Sequence, residues 1–329
     1  MVFPTRVDLL ALVPAALVAV AAEAMILPPG SGPLTLVMIV EPHLLIVTIA
    51  ALTPLALWRR ARTLGALLLV AVLMGGCLSG SEWISLPGAG ASRQDISVMS
   101  WNVQYGSRTP AEQAVQLESV TADLVDLQEV EPDAAEAILG DAALTARYPY
   151  RAMAPRKGAR GLAVLSRYPI FHVDSTANPS CLDLLVETPR GSVHVIAAHP
   201  VHAEIGTFTP LRLPFAYDPS NRDTQIAVVR TRIDAALAAG DRLLVLGDYN
   251  TTPLEPGYSV LTHGLRDTHV QVGEGPGWTW RPSRFTFLPI GFLRIDLQLT
   301  GGSIYPTSTS IDCSLPGDHC RLFGGYEID

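Results

Sequence analysis

Three long apolar runs dominate the first part of the chain. They cover residues 9–27, 34–58 and 63–81, and each is close to the roughly 20 residues with which a helix crosses a bilayer core. A signal peptide followed by buried core helices is the alternative, but a signal peptide supplies one such run and a cleavage site. The pattern therefore predicts a membrane domain with three transmembrane helices over residues 1–82, followed by a linker over residues 83–95.

Beyond the linker the apolar runs become short and end at Gly, Pro, Asp or Asn, which is typical of strands. The predicted strands lie in "DISVMSWNV", "GLAVLSRYPI", "LDLLVETP", "SVHVIAAHP", "DRLLVLGDYN" and "LRIDLQLT". Helical spacing appears in "AEQAVQLESVTADLVDLQEV", which runs into a strand, and in a long stretch that should end at Gly240. Strands interspersed with helices predict an α/β domain over residues 96–329, with two packed sheets flanked by helices.

Charge is distributed unevenly between these two parts. The first 97 residues carry as many arginines as acids, so the net charge of −8 belongs entirely to the rest of the chain. Arg59, Arg60 and Arg62 lie between the second and third runs, and basic residues favour cytoplasmic loops. We therefore expect a multi-pass protein of the cell membrane with a cytoplasmic N-terminus and an extracytoplasmic domain. Because nucleic-acid binding depends on Lys and Arg, the acidic domain makes nucleic acid an unlikely partner.

Polar residues recur where the predicted strands end. A single asparagine there is usually a turn former, and a single aspartate is usually a helix cap. Their repetition indicates side chains that converge on one exposed rim of a sheet. The residues are Asn102, Glu129, His199, Asp248, Asn250, Asp296, Asp318 and His319.

Seven motifs in these segments occur in a characteristic order: "SWNVQYG", "DLQEV", "GLAVLSRYPI", "AAHP", "LGDYNTTP", "RIDLQL" and "GDHC". In this order they resemble the endonuclease/exonuclease/phosphatase superfamily over residues 96–329. The resemblance implies a four-layer α/β sandwich that cleaves phosphate esters with Mg²⁺, or with Mn²⁺ in its place. Together with the three apolar runs, the layout resembles the VanJ-type teicoplanin-resistance membrane proteins.

The same resemblance implies a metal site. Glu129 matches the metal ligand of the superfamily, and Asn102 matches the amide beside it. Asp318 matches the acid that assists in positioning the metal or the water. These oxygen donors suit Mg²⁺, which takes one or two carboxylates and keeps several waters.

Five further residues match catalytic positions. Asp248 matches the residue that orients or deprotonates the attacking water, and Asn250 matches the amide that holds a phosphate oxygen. His319 matches the essential histidine and Asp296 its carboxylate partner, a pair that favours the charged imidazolium. His199 matches a second histidine, a candidate general acid toward the leaving oxygen.

Two cysteines flank the Asp-His motif. Six residues separate Cys313 from Cys320, which allows a disulfide without requiring it, and an extracytoplasmic location favours one. We expect Cys77 and Cys181 to be unpaired.

The substrate is predicted less directly, because the superfamily contains nucleases, inositol phosphatases and sphingomyelinases. A domain held close to the outer face of a membrane favours a lipid-linked phosphate, such as undecaprenyl pyrophosphate. A tethered extracellular nuclease or phospholipid phosphodiesterase is the alternative, and a catalytically silent sensor or scaffold is a third. Protein partners are unknown from the sequence.

Overall fold

The computed structural model describes residues 30–59, 93–208 and 213–329, together with the isolated positions 20, 69, 70 and 73. Nearly all of the first and third predicted membrane spans lie outside these residues, as does Cys77. The described elements fall into two compact units. The first unit holds two helices near the N-terminus and a β-hairpin from later in the chain, and the second holds the two large sheets with their helices.

The second predicted span is broken rather than continuous. Helix α1 (Pro33–Ile39) and helix α2 (Glu41–Arg59) are separated at Val40, and the chain bends by 64° there. Pro42 lies in the first turn of α2; within one continuous helix it would leave the carbonyl one turn earlier without a partner. Among the described residues no single helix is long and apolar enough to cross a membrane, although this bent pair taken together meets the same requirements.

The hairpin of the first unit is not among the predicted elements. Strand β8 (Glu204–Phe208) pairs antiparallel with β9 (Leu213–Asp218). The backbone N–H of Gly32, just before α1, donates a 2.7 Å hydrogen bond to the carbonyl of Tyr217. The hairpin is therefore attached to the N-terminal helices.

The second unit contains most of the secondary structure. Its strands are β1 (Ile96–Asn102), β2 (Leu124–Gln128), β3 (Tyr150–Ala154), β4 (Leu162–Ser166), β5 (Ile170–Ala177), β6 (Ser180–Thr188), β7 (Gly191–His199), β10 (Leu243–Asp248), β11 (Arg266–Asp267), β12 (Asp296–Gly301), β13 (Ile304–Asp312) and β14 (Arg321–Ile328). Its helices are α3 (Pro110–Glu118), α4 (Pro132–Gly140), α5 (Ala142–Arg147), α6 (Ser220–Ala239), α7 (Pro256–Thr262) and α8 (Thr268–Val272), with a 3₁₀ turn at Ser283–Phe285.

Most of these elements are those predicted from the sequence. Helix α6 ends at Ala239, and Gly240 follows with φ +77°, the left-handed conformation that glycine adopts after a helix. The run "GLAVLSRYPI" is an exception, because it forms two strands in different sheets rather than one. Strand β4 ends at Ser166 and β5 begins at Ile170, directly after Pro169, which lacks the N–H that a central strand needs.

The predicted packing of two sheets between helices is confirmed. One sheet has the strand order β13-β14-β1-β2-β4-β3 and the other has β11-β12-β10-β7-β6-β5. Apolar side chains from both sheets, including Val98, Leu124, Val195 and Leu246, form a dry layer between them. Helices α3, α4 and α5 pack on the outer face of the first sheet, and α6 and α7 pack on the outer face of the second.

Side-chain alternation directs polar residues toward one end of the layer between the sheets. Because Val98 of β1 points into that layer, Asn102, four residues later on the same strand, points the same way. The same two-residue period takes β10 from Leu246 to Asp248. Strands β10 and β12 are antiparallel, and their register sets Asp248 directly opposite Asp296. The sheet topology therefore brings the ends of separate strands to one site.

Candidate active site

Asn102 and Glu129 form one side of this site. The Asn102 Nδ2 donates to Glu129 Oε1 at 2.9 Å and to Asp248 Oδ2 at 3.0 Å, so one amide bridges two carboxylates. The Asn102 Oδ1 accepts from the N–H of Gln104 at 2.9 Å, and Glu129 Oε2 accepts from the N–H of Tyr105 at 3.0 Å. Glu129 has a φ of +63°, a sparsely populated conformation that persists only where its surroundings hold it.

Asp248 lies at the centre, between two histidines. Its Oδ2 is 3.4 Å from Nε2 of His199 and 3.5 Å from Nε2 of His319. Burial by itself would raise the pKa of Asp248, but the two histidines and the Asn102 amide outweigh it and lower the pKa to about 2. Asp248 is therefore ionised throughout the physiological range.

His319 and Asp296 form a buried ion pair. The His319 Nδ1 lies 3.1 Å and 3.0 Å from the two carboxylate oxygens of Asp296. Burial opposes the charge on His319, yet Asp296 and Asp248 raise its pKa to about 10, so the ring is an imidazolium at neutral pH. The hydroxyl of Thr279 accepts a 3.2 Å hydrogen bond from the N–H of Asp296.

The expected position of His319 on an exposed rim is wrong. Its exposed fraction is only 6%. The backbone of Trp280 bridges to His319, and the N–H of Cys320 donates to the carbonyl of Thr279 at 2.8 Å. A segment far away in sequence thus pairs with the Asp-His motif, and Asp296 and Asp248 stabilise the buried imidazolium against the effect of burial.

His199 and Asn250 occupy the opposite side. The Asn250 Nδ2 donates to the carbonyl of Pro200 at 3.0 Å and lies 3.2 Å from Nε2 of His199. Burial lowers the pKa of His199, but Asp248 and Glu129 outweigh it, so the net shift is upward. The Asn250 amide thus contacts both His199 at the end of β7 and the loop that begins at Pro200.

Two residues of helix α6 hold these loops in place. The buried guanidinium of Arg222 donates to the carbonyl of Asn250 at 2.8 Å. The Gln225 Oε1 accepts from the N–H of Val201 at 3.0 Å. Both side chains hold the backbone of loops that follow the strand ends of the site, one at Asn250 and the other at Val201.

Asp318 lies at the edge of the cluster. Burial raises the pKa of its carboxyl, and the charges of Glu129 and Asp248 raise it further, against the effect of His319. Its Oδ1 is buried without a hydrogen-bond partner. An unpartnered carboxylate oxygen close to two other carboxylates is what a divalent cation would satisfy, so Asp318 and Glu129 offer carboxylate donors for a metal. The Asn102 oxygen would join them only by releasing the N–H of Gln104.

A second group of potential ligands overlaps this site. Asp248, Asp296 and His319 bring ligand atoms within 4.8 Å of one another, among the residues whose placement is described. His319 carries protons on both ring nitrogens while it is an imidazolium, and it then has no lone pair for a metal. The structure therefore offers two overlapping sets of potential metal ligands, the oxygen donors around Glu129 and the group around Asp248.

Some residues of this site are not predicted from the sequence. The Gln104 side chain accepts from the N–H of Asp318 at 3.3 Å. The guanidinium of Arg108 lies against Gly317 and 5.3 Å from the centre of the Trp101 ring, and Asp318 acts to raise its pKa against a larger lowering by burial. The "NVQYGSR" stretch at the end of β1 carries both residues. Their contacts with Asp318 and Gly317 involve residues far away in sequence, so the stretch alone does not predict them.

The two cysteines around the Asp-His motif are bonded to each other. Cys313 and Cys320 form a disulfide, which closes a short loop around Asp318 and His319. Cys181 is a buried free thiol, and burial raises its pKa to about 12. It is therefore an unreactive core residue.

Clustered carboxylates, imidazoles and amides at one end of a two-sheet α/β sandwich are the arrangement of a phosphoester hydrolase. The chain belongs to the endonuclease/exonuclease/phosphatase family, whose model matches residues 99–319. Members of this family are hydrolases that act on phosphoester bonds, and they typically depend on a divalent metal. A comparison with curated proteins finds no match.

Several solved structures share the fold. A 3′-phosphatase, NExo, from Neisseria, bound to a product DNA hairpin, is 21% identical over 71% of this chain and 99% of its own, with a TM-score of 0.53. TDP2 from D. rerio, complexed with a single-strand DNA product, is 18% identical over 70% and 98%, with a TM-score of 0.53. An endonuclease/exonuclease/phosphatase from Beutenbergia cavernae is 20% identical over 72% of each chain, with a TM-score of 0.52.

Proposed function

We propose that this protein is a Mg²⁺-dependent hydrolase of a lipid-linked phosphate ester or pyrophosphate at the outer face of a membrane. The central observation is the arrangement around Asp248, whose Oδ2 lies within 3.5 Å of both His199 and His319. In this arrangement the ionised carboxylate accepts a hydrogen bond from the attacking water, and the imidazoles supply positive charge for phosphate oxygens.

Each charged group has a distinct part in this mechanism. The His319 imidazolium, fixed by Asp296, faces the site and stabilises negative charge that develops on the phosphoryl oxygens. Asp248 orients the attacking water by accepting a hydrogen bond from it, and a carboxylate with so low a pKa is too weak a base to keep the proton. The proton of the water passes to a phosphoryl oxygen as the new bond to phosphorus forms. His199 is the candidate proton donor to the leaving oxygen.

The metal would be held by Glu129, Asp318 and the Asn102 oxygen. A bound Mg²⁺ supplies Lewis-acid polarisation of the phosphate and neutralises charge. The amide Nδ2 of Asn102 keeps Glu129 and Asp248 at a fixed separation. Asn250 is proposed to hold a phosphate oxygen, for which its Nδ2 would exchange its contact with His199.

The proposed membrane location depends on the apolar runs and the Arg-rich loop. In this arrangement the three runs cross the cell membrane, the N-terminus is cytoplasmic and residues 96–329 are extracytoplasmic. A C-terminal reporter that fluoresces only in the cytoplasm should then stay dark. Bright fluorescence would refute this topology while leaving the hydrolase assignment intact.

The proposed substrate is a prenyl pyrophosphate such as undecaprenyl pyrophosphate. Its support is the net charge of −8 on the domain, which disfavours a polyanionic partner, and the predicted closeness to the membrane. The resemblance to VanJ-type proteins extends the proposal to teicoplanin resistance. Loss of the gene should then increase teicoplanin sensitivity.

A nuclease or phospholipid phosphodiesterase is the second candidate. The nuclease alternative is supported by the two DNA-bound structures that share the fold. The deciding experiment incubates the full-length protein in detergent with prenyl pyrophosphates, phospholipids and DNA, with His319→Ala as the inactive control. It measures released phosphate for the pyrophosphates, and the cleaved phosphomonoester products by chromatography for phospholipids and DNA. Turnover of DNA or phospholipid without activity on prenyl pyrophosphate would select the second candidate.

A further inference from the structure

An exposed aromatic loop lies next to the candidate active site. Residues 282–292, here called the aromatic loop, expose Phe285 by 41%, Phe287 by 77% and Ile290 by 54%. Phe287 is the most exposed large apolar side chain among the residues that the structure describes. The Phe285 ring lies 5.4 Å from that of Phe292 and 6.5 Å from that of Phe287. The exposed rings therefore form one continuous patch rather than scattered surface residues.

The aromatic loop is fixed to the segment that carries His319. The backbone N–H of Arg281 donates to the carbonyl of Asp318 at 2.7 Å. The buried guanidinium of Arg281 donates to the carbonyl of Leu288 within the loop and to the carbonyls of Cys313 and Leu315 beside the disulfide. One side chain thus joins the aromatic loop to the loop that contains the catalytic histidine.

The patch is close to the chemistry. The backbone of Trp280 bridges to His319, and Phe285 follows five residues later. At about 3.5 Å per fully extended residue, Phe285 lies no more than about 18 Å along the chain from that bridge. A molecule whose phosphate reaches His319 can therefore place an attached hydrocarbon chain against the patch.

The segment that contains the aromatic loop is basic, whereas the domain as a whole is acidic. Residues 275–295 contain three arginines and no acid, although the domain as a whole carries a net charge of −8. Arg281 and Arg294 are buried, the first against carbonyls and the second against Asp267, which leaves Arg284 exposed beside the aromatic rings. Aromatic rings beside a basic residue complement an anionic lipid surface, where the rings enter the interface and the cation meets phosphate.

We propose that the aromatic loop inserts into the anionic lipid bilayer that carries the substrate and so delivers lipid phosphates to His319. This inference rests on the proposed function, because it assigns the bilayer surface as the place where that function's substrate is bound. One exposed arginine is too little charge for a nucleic-acid surface, which neutralises several phosphates.

The first test compares two substrates in vesicles of phosphatidylglycerol and phosphatidylcholine that contain the reconstituted full chain. One substrate is undecaprenyl pyrophosphate in the bilayer, and the other is water-soluble p-nitrophenyl phosphate. In the double variant Phe285→Ser/Phe287→Ser, the ratio of bilayer to soluble turnover should fall about tenfold or more, equivalent to about 1.4 kcal/mol. Phe171→Ser is the matched control, because Phe171 is 52% exposed on β5, outside the aromatic loop.

The second test is independent of turnover. A polarity-sensitive fluorophore on Phe287→Cys should report an apolar environment in these vesicles, and the same label on Phe171→Cys should report water. Cys181 is buried, and the unsubstituted chain measures background labelling. An unchanged turnover ratio together with a water-exposed label at position 287 would overturn the inference.

The two tests separate the inference from the function on which it rests. Turnover of the prenyl pyrophosphate with a water-exposed label would keep the proposed function and refute insertion. An apolar label without turnover of that lipid would support insertion and refute the proposed substrate. Relief of the label's apolar signal by added single-stranded DNA would mean that the patch binds nucleic acid, which also refutes the inference.

Discussion

Replacing Asp296 with asparagine should move the alkaline limit of activity from near pH 10 toward neutrality. Asparagine keeps the size of the side chain beside His319 Nδ1 but removes the negative charge. Burial opposes the charged form of His319, and Asp296 and Asp248 are the main groups that raise its pKa to about 10. With one of these carboxylates neutral, less charge offsets the effect of burial, and the pKa of His319 falls.

The size of the effect follows from that pKa. A rise from 6.5 to about 10 corresponds to roughly 5 kcal/mol in favour of the imidazolium, at about 1.36 kcal/mol per pKa unit. Because the folded-state pKa lies above the unfolded one, this stabilisation is complete below the unfolded pKa of 6.5 and is lost as pH rises through about 10. If Asp296 supplies half of it, His319 in the variant titrates near about pH 8, and its imidazolium decreases about tenfold per pH unit above that.

The assay is the dependence of kcat/KM on pH, from about pH 6 to about pH 10.5 at saturating Mg²⁺, for the wild type, Asp296→Asn and His319→Ala. Asp174→Asn is the control, because Asp174 is an exposed residue of β5 that pairs with Arg232 and contacts no residue named in the site. We expect His319→Ala to lose about 10²–10⁴-fold in rate at all pH values. An Asp296→Asn profile that coincides with the wild type, or near-wild-type turnover by His319→Ala, would refute the reasoning.

Three further predictions concern the metal, the disulfide and a distant ion pair. Glu129→Gln should lose activity at low Mg²⁺ and partly regain it at high Mg²⁺; a Mg²⁺ titration that matches the wild type would show that Glu129 is not a ligand. Reducing the Cys313–Cys320 disulfide should lower turnover clearly while lowering the melting temperature only modestly, because closing so short a loop contributes about 2–3 kcal/mol to stability. Unchanged turnover in protein whose two thiols are free by mass spectrometry would contradict this. His194 contacts Asp183 at 2.6 Å and Asp241 at 2.8 Å, and these carboxylates raise its pKa against the effect of burial. At pH values below the unfolded pKa of histidine, His194→Gln should therefore lower the free energy of unfolding by about 1–3 kcal/mol. This loss of stability should become smaller as pH rises through the folded pKa of His194. Thermal melts that show the same loss of stability at acidic and at alkaline pH would count against the prediction.

The sequence determined the features that depend on local order along the chain. Alternation and short apolar runs predicted most of the strands, and the end of helix α6 was predicted because glycine adopts a left-handed conformation at little cost. The strand-end positions of Asn102, Glu129 and Asp248 were also evident, since a change from apolar to polar residues marks where a strand leaves the core. The order of the motifs then indicated the family, and this inference required no distances between residues.

Only the tertiary structure decided which strand ends meet. The register that sets Asp248 opposite Asp296 joins segments almost fifty residues apart, and no local periodicity encodes such a pairing. The backbone bridge between Trp280 and His319 likewise joins segments far apart in sequence. Arg281 joins the aromatic loop to the disulfide loop because it binds the nearby carbonyl of Leu288 together with the carbonyls of Cys313 and Leu315, which are distant in sequence. Propensity and periodicity act between neighbours in sequence, whereas the charge state of His319 depends on carboxylates that the fold brings close together.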